Sequence, residues 1–560
     1  MTTKPDGWPR NIKLHSRTYR NWSQTIVVDD LYTCEPADAD EVAQVCNWAK
    51  DQSPPWQVRP RGCRHGWSPL TIGEETKPMA DLIIMDMTKS LTSLEMIPAS
   101  TGKPPMVKAG AGVTMDALLT FLQQQSGGSG TANGYSFAHT PAPGNLTVGG
   151  VLAIDGHGTA IPNDNENFDT AYGSLSNQIV SFDAVVSDDS GTYAVKTFER
   201  GSAETDALLV HAGRLTIVSA TLQVIENYNL RCQSRMDIHW QDLFAPPITS
   251  VETPDSLDSF LEQSGRVEAI WYPFTDEPWL KVWTAMPTQP AGSKLVTAPY
   301  NYPFSDNLPT IVTTLLKALT SGLPSLTPDF EKAFATFTKF ELSKNGLSDL
   351  WGASMNTLLY IKDETLRVTA NGYAIQMKRA DVQQSVHDFA VQFNDMLHAY
   401  QAKGRYPVNA PLEIRVTGLD DPSHIVTPGG GDAQTPLISA LTCDEDARSN
   451  GWDCAVWFDV LTLPGTKYEN DFYSELEDWF VQRFPAPEYR LMPEWSKGWA
   501  YTEKGGAWTN GEFFAMMREA FSDGRDATSD WNYVVRTMAK YDSAGLFATP
   551  LLSELFVDSL

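Results

Sequence analysis

The chain has 560 residues and a formal net charge of −27. That length needs more than one layer of core, and the charge disfavours nucleic acid and tight adsorption to anionic lipid, both of which need clustered Lys and Arg. Seventeen Trp, nineteen Tyr and twenty-four Phe suit either a large apolar pocket or simply a large core.

Met1 to Arg20 is polar and has no hydrophobic leader core, and no run of about eighteen apolar residues marks a membrane span. Thr25 to Val28 is β-rich, and Ala37-Asp38-Ala39-Asp40 offers N-caps for a helix through Lys50. Strand signals follow at Val58, Leu82–Met85 and Met106–Ala109. Thr114 caps an amphipathic helix through Leu122, which the turn Gly127-Gly128-Ser129-Gly130 ends. Further strands are expected at Ile179–Val186 and Thr216–Glu226. This alternation fits an α+β nucleotide domain, while the missing GxGxxG after a first strand argues against a Rossmann fold.

From Asn227 to about Arg490 a second domain is expected, with strands at Val267–Tyr272, Trp279–Thr284 and Leu358–Ile361. Its clearest helix is Asp381–Lys403, with Val382, Val386, Phe389, Phe393, Leu397 and Tyr400 on one face. Proline-rich turns at Pro407–Pro411 and Pro422–Pro436 bound a strand carrying Glu413 and Arg415. The six cysteines show no metal-binding spacing, so no metal is expected; they read as free thiols, although a Cys443–Cys454 bridge across a short loop is open.

The segment Arg59-Pro60-Arg61-Gly62-Cys63-Arg64-His65-Gly66-Trp67-Ser68-Pro69 carries the most functional information. Glycines beside the histidine let backbone approach a flat ligand, prolines stiffen the ends, and arginines can neutralise phosphate. A neutral imidazole at His65 is a competent nucleophile. Downstream lie Val107-Lys108-Ala109-Gly110-Ala111-Gly112-Val113-Thr114, Thr147-Val148-Gly149-Gly150-Val151-Leu152-Ala153-Ile154-Asp155-Gly156-His157-Gly158-Thr159 and Ala212-Gly213-Arg214-Leu215-Thr216-Ile217.

In this order the motifs resemble the vanillyl-alcohol-oxidase type of flavoprotein, across essentially the whole chain. Val267-Glu268-Ala269-Ile270-Trp271-Tyr272, Leu412-Glu413-Ile414-Arg415 and Pro493-Glu494-Trp495-Ser496-Lys497-Gly498-Trp499 narrow the resemblance to class II cholesterol oxidases. The resemblance implies an α+β, two-domain flavoprotein: residues 1–226 as FAD-binding domain, 227–490 as substrate-binding cap, and 491–560 as a return to the FAD-binding domain. It implies FAD held by Arg61, Gly62, Cys63, Arg64, Gly66, Trp67, Ser68, Pro69, Pro143, Gly144, Asn145, Thr147, Gly150, Gly156, His157, Gly158 and Ile217, and joined covalently to His65. It further implies a secreted oxidase whose substrates are a 3β-hydroxysterol and O2, with at most transient contact with sterol-containing membranes. A sugar-lactone or alditol oxidase and a non-catalytic sterol carrier are the alternatives.

Glu413 and Arg415, two apart on a strand, leave the same face, and a guanidinium neighbour is expected to lower the carboxyl pKa. By resemblance Glu413 is the proton acceptor and Arg415 its partner and gate. Glu268, inside an apolar strand, either faces solvent or is buried; relatives place it in the sterol pocket. Lys497 either meets the flavin or substrate oxygen, or packs its stem along tryptophan. Relatives carry an asparagine where this chain has Asp459, which is then an extra base or a protonated donor.

Overall fold

A computed structural model describes residues 4–73, 75–127, 130–164, 166, 168, 170–247, 255–299, 310–360, 366–428 and 430–557. Gly128 and Ser129 of the expected turn, and Ile361, lie outside the described residues.

The N-terminal part holds two sheets. One has four strands in the order Leu14–Arg20, Val27–Cys34, Leu82–Asp86, Gln57–Arg61, the last two pairs being parallel. The other is antiparallel, in the order Leu94–Ile97, Met106–Gly110, Thr216–Gln223, Ile179–Ser187, Tyr193–Glu199. Helix Ala39–Lys50 starts where Asp38 accepts the Glu41 backbone N–H, and helix Met115–Gln123 where Thr114 accepts from Ala117.

A nine-stranded sheet forms the second part, in the order Lys294–Leu295, Asp349–Ala353, Asn229–Arg235, Trp279–Ala285, Val267–Trp271, Leu412–Gly418, Cys454–Thr462, Thr369–Met377, Arg490–Pro493. Its back is covered by helix Val382–Ala402, where Phe389 meets Phe458 at 4.2 Å between ring centroids and Phe393 meets Trp271 at 5.8 Å. Aromatic volume is thus spent on this core as well as around the site.

The two parts are stitched together. Thr159 Oγ1 donates to the carbonyls of Val267 (2.9 Å) and Val416 (3.0 Å). At the far end of the chain, Val58 N donates to Leu546 O at 2.8 Å and Tyr193 to Asp542 at 2.6 Å. Residues 542–547 therefore pack back on the N-terminal sheets, whereas helix Gly511–Ala520 packs on the large sheet, where Phe513 meets Tyr373 at 5.8 Å.

One expectation needs correction. Leu358 closes a short helix, Ser354–Leu358, and starts no strand, because Ser354–Leu358 is buried on every side and has no alternating face. The cysteines are free thiols as read from the sequence, Cys443 and Cys454 included.

Candidate active site

One face of the large sheet collects the charges. Residues directly opposed across antiparallel strands share a face, so the register fixes who meets whom. Lys281, Glu268, Arg415 and Trp457 form one row; Trp279, Ile270, Glu413, Asp459 and Gly372 form the next. Asp459 is fully buried. Its Oδ2 is 2.5 Å from Lys497 Nζ and in direct contact with the Arg415 guanidinium. Arg415 also reaches Glu413 at 3.5 Å, and Lys497 reaches Glu494 at 3.0 Å. Two cations on one carboxylate oxygen favour the ionised, accepting form of Asp459.

Gly372 makes room for this cluster. A Cβ there would stand 2.6 Å from Asp459 Oδ1, 2.7 Å from Lys497 Cδ and 2.8 Å from Glu494 Oε2. Glycine mid-strand is costly in entropy, and here it leaves the space that the ions fill.

Burial governs the proton affinities. It raises the Glu413 carboxyl above its ordinary range, with Arg415 opposing and Glu268 adding to the rise. This corrects the expected lowering: desolvation outweighs the guanidinium. Burial brings Lys497 down to about 8, with Glu494 opposing and Arg415 assisting. For Glu494 burial pushes upward, but Lys497, His157 and Arg415 together leave it lowered.

Glu268 is 2% exposed, which rules out the solvent-facing alternative. Its Oε2 accepts the Tyr360 hydroxyl.

The histidine loop faces the same cluster across a cavity of about 360 Å³. It is docked on the Lys497 segment: Trp67 N and Ser68 N both donate to Ser496 O at 2.8 and 3.1 Å, and Ser68 Oγ to Trp495 O at 2.7 Å. The His65 ring stacks on Trp22 with centroids 5.4 Å apart. Gly62 has to be glycine, since a Cβ would lie 1.9 Å from Thr147 Oγ1. Arg61, Gly62, Cys63, Arg64, His65, Gly66, Trp67, Ser68, Pro143, Thr147, Gly150, Gly156, His157, Ile217, Glu413, Arg415 and Lys497 all line the cavity. His157 links it to the sheet by stacking on Trp457 at 3.8 Å.

Pro69, Gly144, Asn145, Gly158, Glu268 and Asp459 stand outside that wall. Gly144 O accepts Asp116 N at 2.8 Å at the helix start, and Gly158 packs on Thr140, so these two shape the loops behind it. The arginines are mostly committed elsewhere. Arg59 is buried on the carbonyls of Phe547, Leu70 and Thr71, and Arg61 pairs with Asp86. Arg64, half-buried with φ of 66°, remains as the loop cation.

Sequence reasoning missed Glu494, Gly372, His211, Lys281 and Tyr360. Lys281 had a signal: it is a charge inside Trp279-Leu280-Lys281-Val282-Trp283, as Glu268 is inside its own apolar strand. Tyr360 had none.

A profile for the cholesterol oxidase substrate-binding domain matches residues 229–557. The chain belongs to the cholesterol oxidase family. A second profile, for an FAD-binding domain, matches residues 31–192. Among solved structures, a solvent-stable cholesterol oxidase is 43% identical, with a TM-score of 0.93 covering 99% of this chain and 100% of that one. Cholesterol oxidase from B. sterolicum is 34% identical, with a TM-score of 0.92 covering 99% of each chain. L-gulonolactone oxidase of Mus musculus is 26% identical over 260 residues, 46% of this chain and 49% of that protein, so the match spans about half the length of that relative.

The family's cofactor is FAD, and the cavity suits it. Its walls are rich in glycine and alanine, where backbone can approach a flat ring system. The buried His211 Nε2 on its lining has no hydrogen-bond partner among the described residues, a polar atom left for a ligand. Glu413, Arg415 and Lys497 contribute the charged part of its wall.

Proposed function

We propose that this protein oxidises a 3β-hydroxysterol such as cholesterol and isomerises the product to the conjugated 4-en-3-one, releasing hydrogen peroxide. The observation that carries this is one buried sheet face, which sets Glu413 and Arg415, with Lys497 packed on them, in the wall of the cavity and Glu268 one strand further on. FAD, in this reading joined to His65, supplies the two-electron acceptor that dioxygen reoxidises. Secretion is part of the same proposal.

Glu413 is suited to take the C3 hydroxyl proton, because burial raises its proton affinity. Arg415 holds that carboxyl and offsets its charge when ionised. Lys497, fixed between Asp459 and Glu494, places a cation at the cavity where the substrate oxygen would develop charge. Glu268 would carry the second reaction. The C4–H bond breaks, its proton goes to a Glu268 oxygen, and the electron pair forms the C3–C4 enolate bond. The proton then returns at C6 as the double bond moves to C4–C5.

An apolar cluster lies beside Glu268 and includes Trp279, Trp283, Tyr272, Phe330 and Phe334. Such surroundings favour a sterol over a sugar lactone and keep water from the enolate.

Peroxide release tests the reading. It should appear with cholesterol and be absent with xylitol or L-gulonolactone; the reverse pattern would favour the sugar oxidase, and none at all a carrier. Glu268→Gln should accumulate the unconjugated 5-en-3-one while peroxide release falls less. For the linkage, acid-precipitated protein should keep its yellow colour in the pellet, and His65→Ala should release it to the supernatant. Yellow pellets from both would remove His65 as the attachment point.

A further inference from the structure

Glu268 stands between two cations. In the ladder Lys281 faces it from one neighbouring strand and Arg415 from the other. A glutamate side chain with free torsions would turn to either, and a carboxyl turned toward a cation is turned away from a substrate carbon. Its position is set from a third direction. Tyr360, two residues after helix Ser354–Leu358, donates its hydroxyl to Glu268 Oε2.

Tyr360 is itself held at both its backbone and its ring. Its backbone N–H donates to the carbonyl of Ala142, a wall residue of the flavin cavity, at 3.2 Å. The Lys281 Nζ lies over its ring, 2.9 Å from the centroid, and sits 4.7 Å from the Trp283 ring and 5.2 Å from Trp279. A cation against a π face attracts the ring and draws electron density from the phenol, which strengthens the hydroxyl as a donor. Lys281 is fully buried, so that attraction is little screened.

We propose that Tyr360, clamped by Lys281, is a positioning residue for isomerisation: it occupies Oε2 of Glu268 and leaves Oε1 to carry the proton from C4 to C6. This rests on the isomerisation reading above. Neither residue exchanges a proton with substrate. The Tyr360 hydroxyl stays on Oε2 throughout, so one carboxyl oxygen faces both carbons in turn.

Feeding the enzyme the 5-en-3-one without oxygen isolates this step, since no oxidation is needed and the enone absorbance reports it. Tyr360→Phe removes only the hydroxyl. The kcat for isomerisation should fall about tenfold relative to that for peroxide release, with KM for the 5-en-3-one unchanged, the scale expected for losing one hydrogen bond to a charged group. Lys281→Met keeps the hydroxyl but loses the clamp, and should lower the same ratio about threefold. A general loosening of the pocket would raise KM and slow both reactions together, which would overturn the assignment. Wild-type isomerisation in Tyr360→Phe, alongside loss in Glu268→Gln, would overturn this inference alone. Normal isomerisation in Glu268→Gln, or none in the wild type, would remove the reading beneath it.

Discussion

The ammonium of Lys497 lies 2.5 Å from Oδ2 of Asp459, the oxygen that also receives the Arg415 guanidinium. One carboxylate thereby ties the segment after the last strand to the strand that carries Glu413. The groups proposed to meet the substrate oxygen and its proton, Lys497 and Glu413, thus share one ion cluster.

This predicts an alkaline limb. Lys497 is brought down to about 8 by burial, so it is a cation below that pH and neutral above it. Oxidation should therefore weaken as pH rises through about 8. Lys497→Met should be slower by about a hundredfold, the scale of removing one preorganised electrostatic group, and should lack that limb. Steady-state peroxide assays from neutral to alkaline pH would show both effects; an unchanged limb in the variant would point to another group.

Asp459→Asn removes an anion from between two cations. Lys497 then keeps Glu494 as its ion-pair partner, with Glu413 adding a further negative influence, so with one anion fewer its proton should be lost more easily and the limb should move to lower pH. Folding should also weaken by about 3 kcal/mol, because two buried cations lose part of their compensation. Thermal melts with the pH profile test both; an upward move of the limb would contradict the arrangement.

Gly62→Ala tests the cradle. Thr147 Oγ1 would lie 1.9 Å from the new Cβ, and the Thr147 Cβ, which does not move when the side chain rotates, would still lie 3.0 Å away, so rotating the threonine gives only partial relief. The histidine loop has to shift, and flavin absorbance per mole of protein should drop severalfold. Full flavin loading would show that the loop is not packed this way.

Glu331 gives a stability test away from the reaction. It is fully buried on helix Thr327–Lys344, and neither carboxyl oxygen has a hydrogen-bond partner among the described residues. Burial raises its pKa well above the ordinary value, so the native state keeps a proton that the unfolded chain gives up. Its cost therefore grows as pH rises past the ordinary carboxyl range. Glu331→Met should stabilise by about 1–3 kcal/mol in acid, where only the unpartnered neutral carboxyl is removed, and by more near neutral pH. A gain independent of pH would contradict a protonated Glu331.

The sequence by itself determined the local pieces, because their causes are local. Asp38 and Thr114 cap the helices beneath which they stand, and the apolar stripe of Val382 to Tyr400 builds the helix behind the large sheet. Periodicity also put Glu413 and Arg415 on one face. Which charges that face would gather was decided by strand register, which no local pattern encodes. Glu268 and Lys281 each read as a lone charge in an apolar strand, and only the ladder places them opposite one another. Lys497 and Glu494 come from a segment that enters the cluster beside Gly372, more than a hundred residues earlier in the chain. The Glu413 pKa followed the same rule. From sequence its nearest influence was Arg415 two residues away, whereas in the fold desolvation by the surrounding protein is larger and reverses the sign.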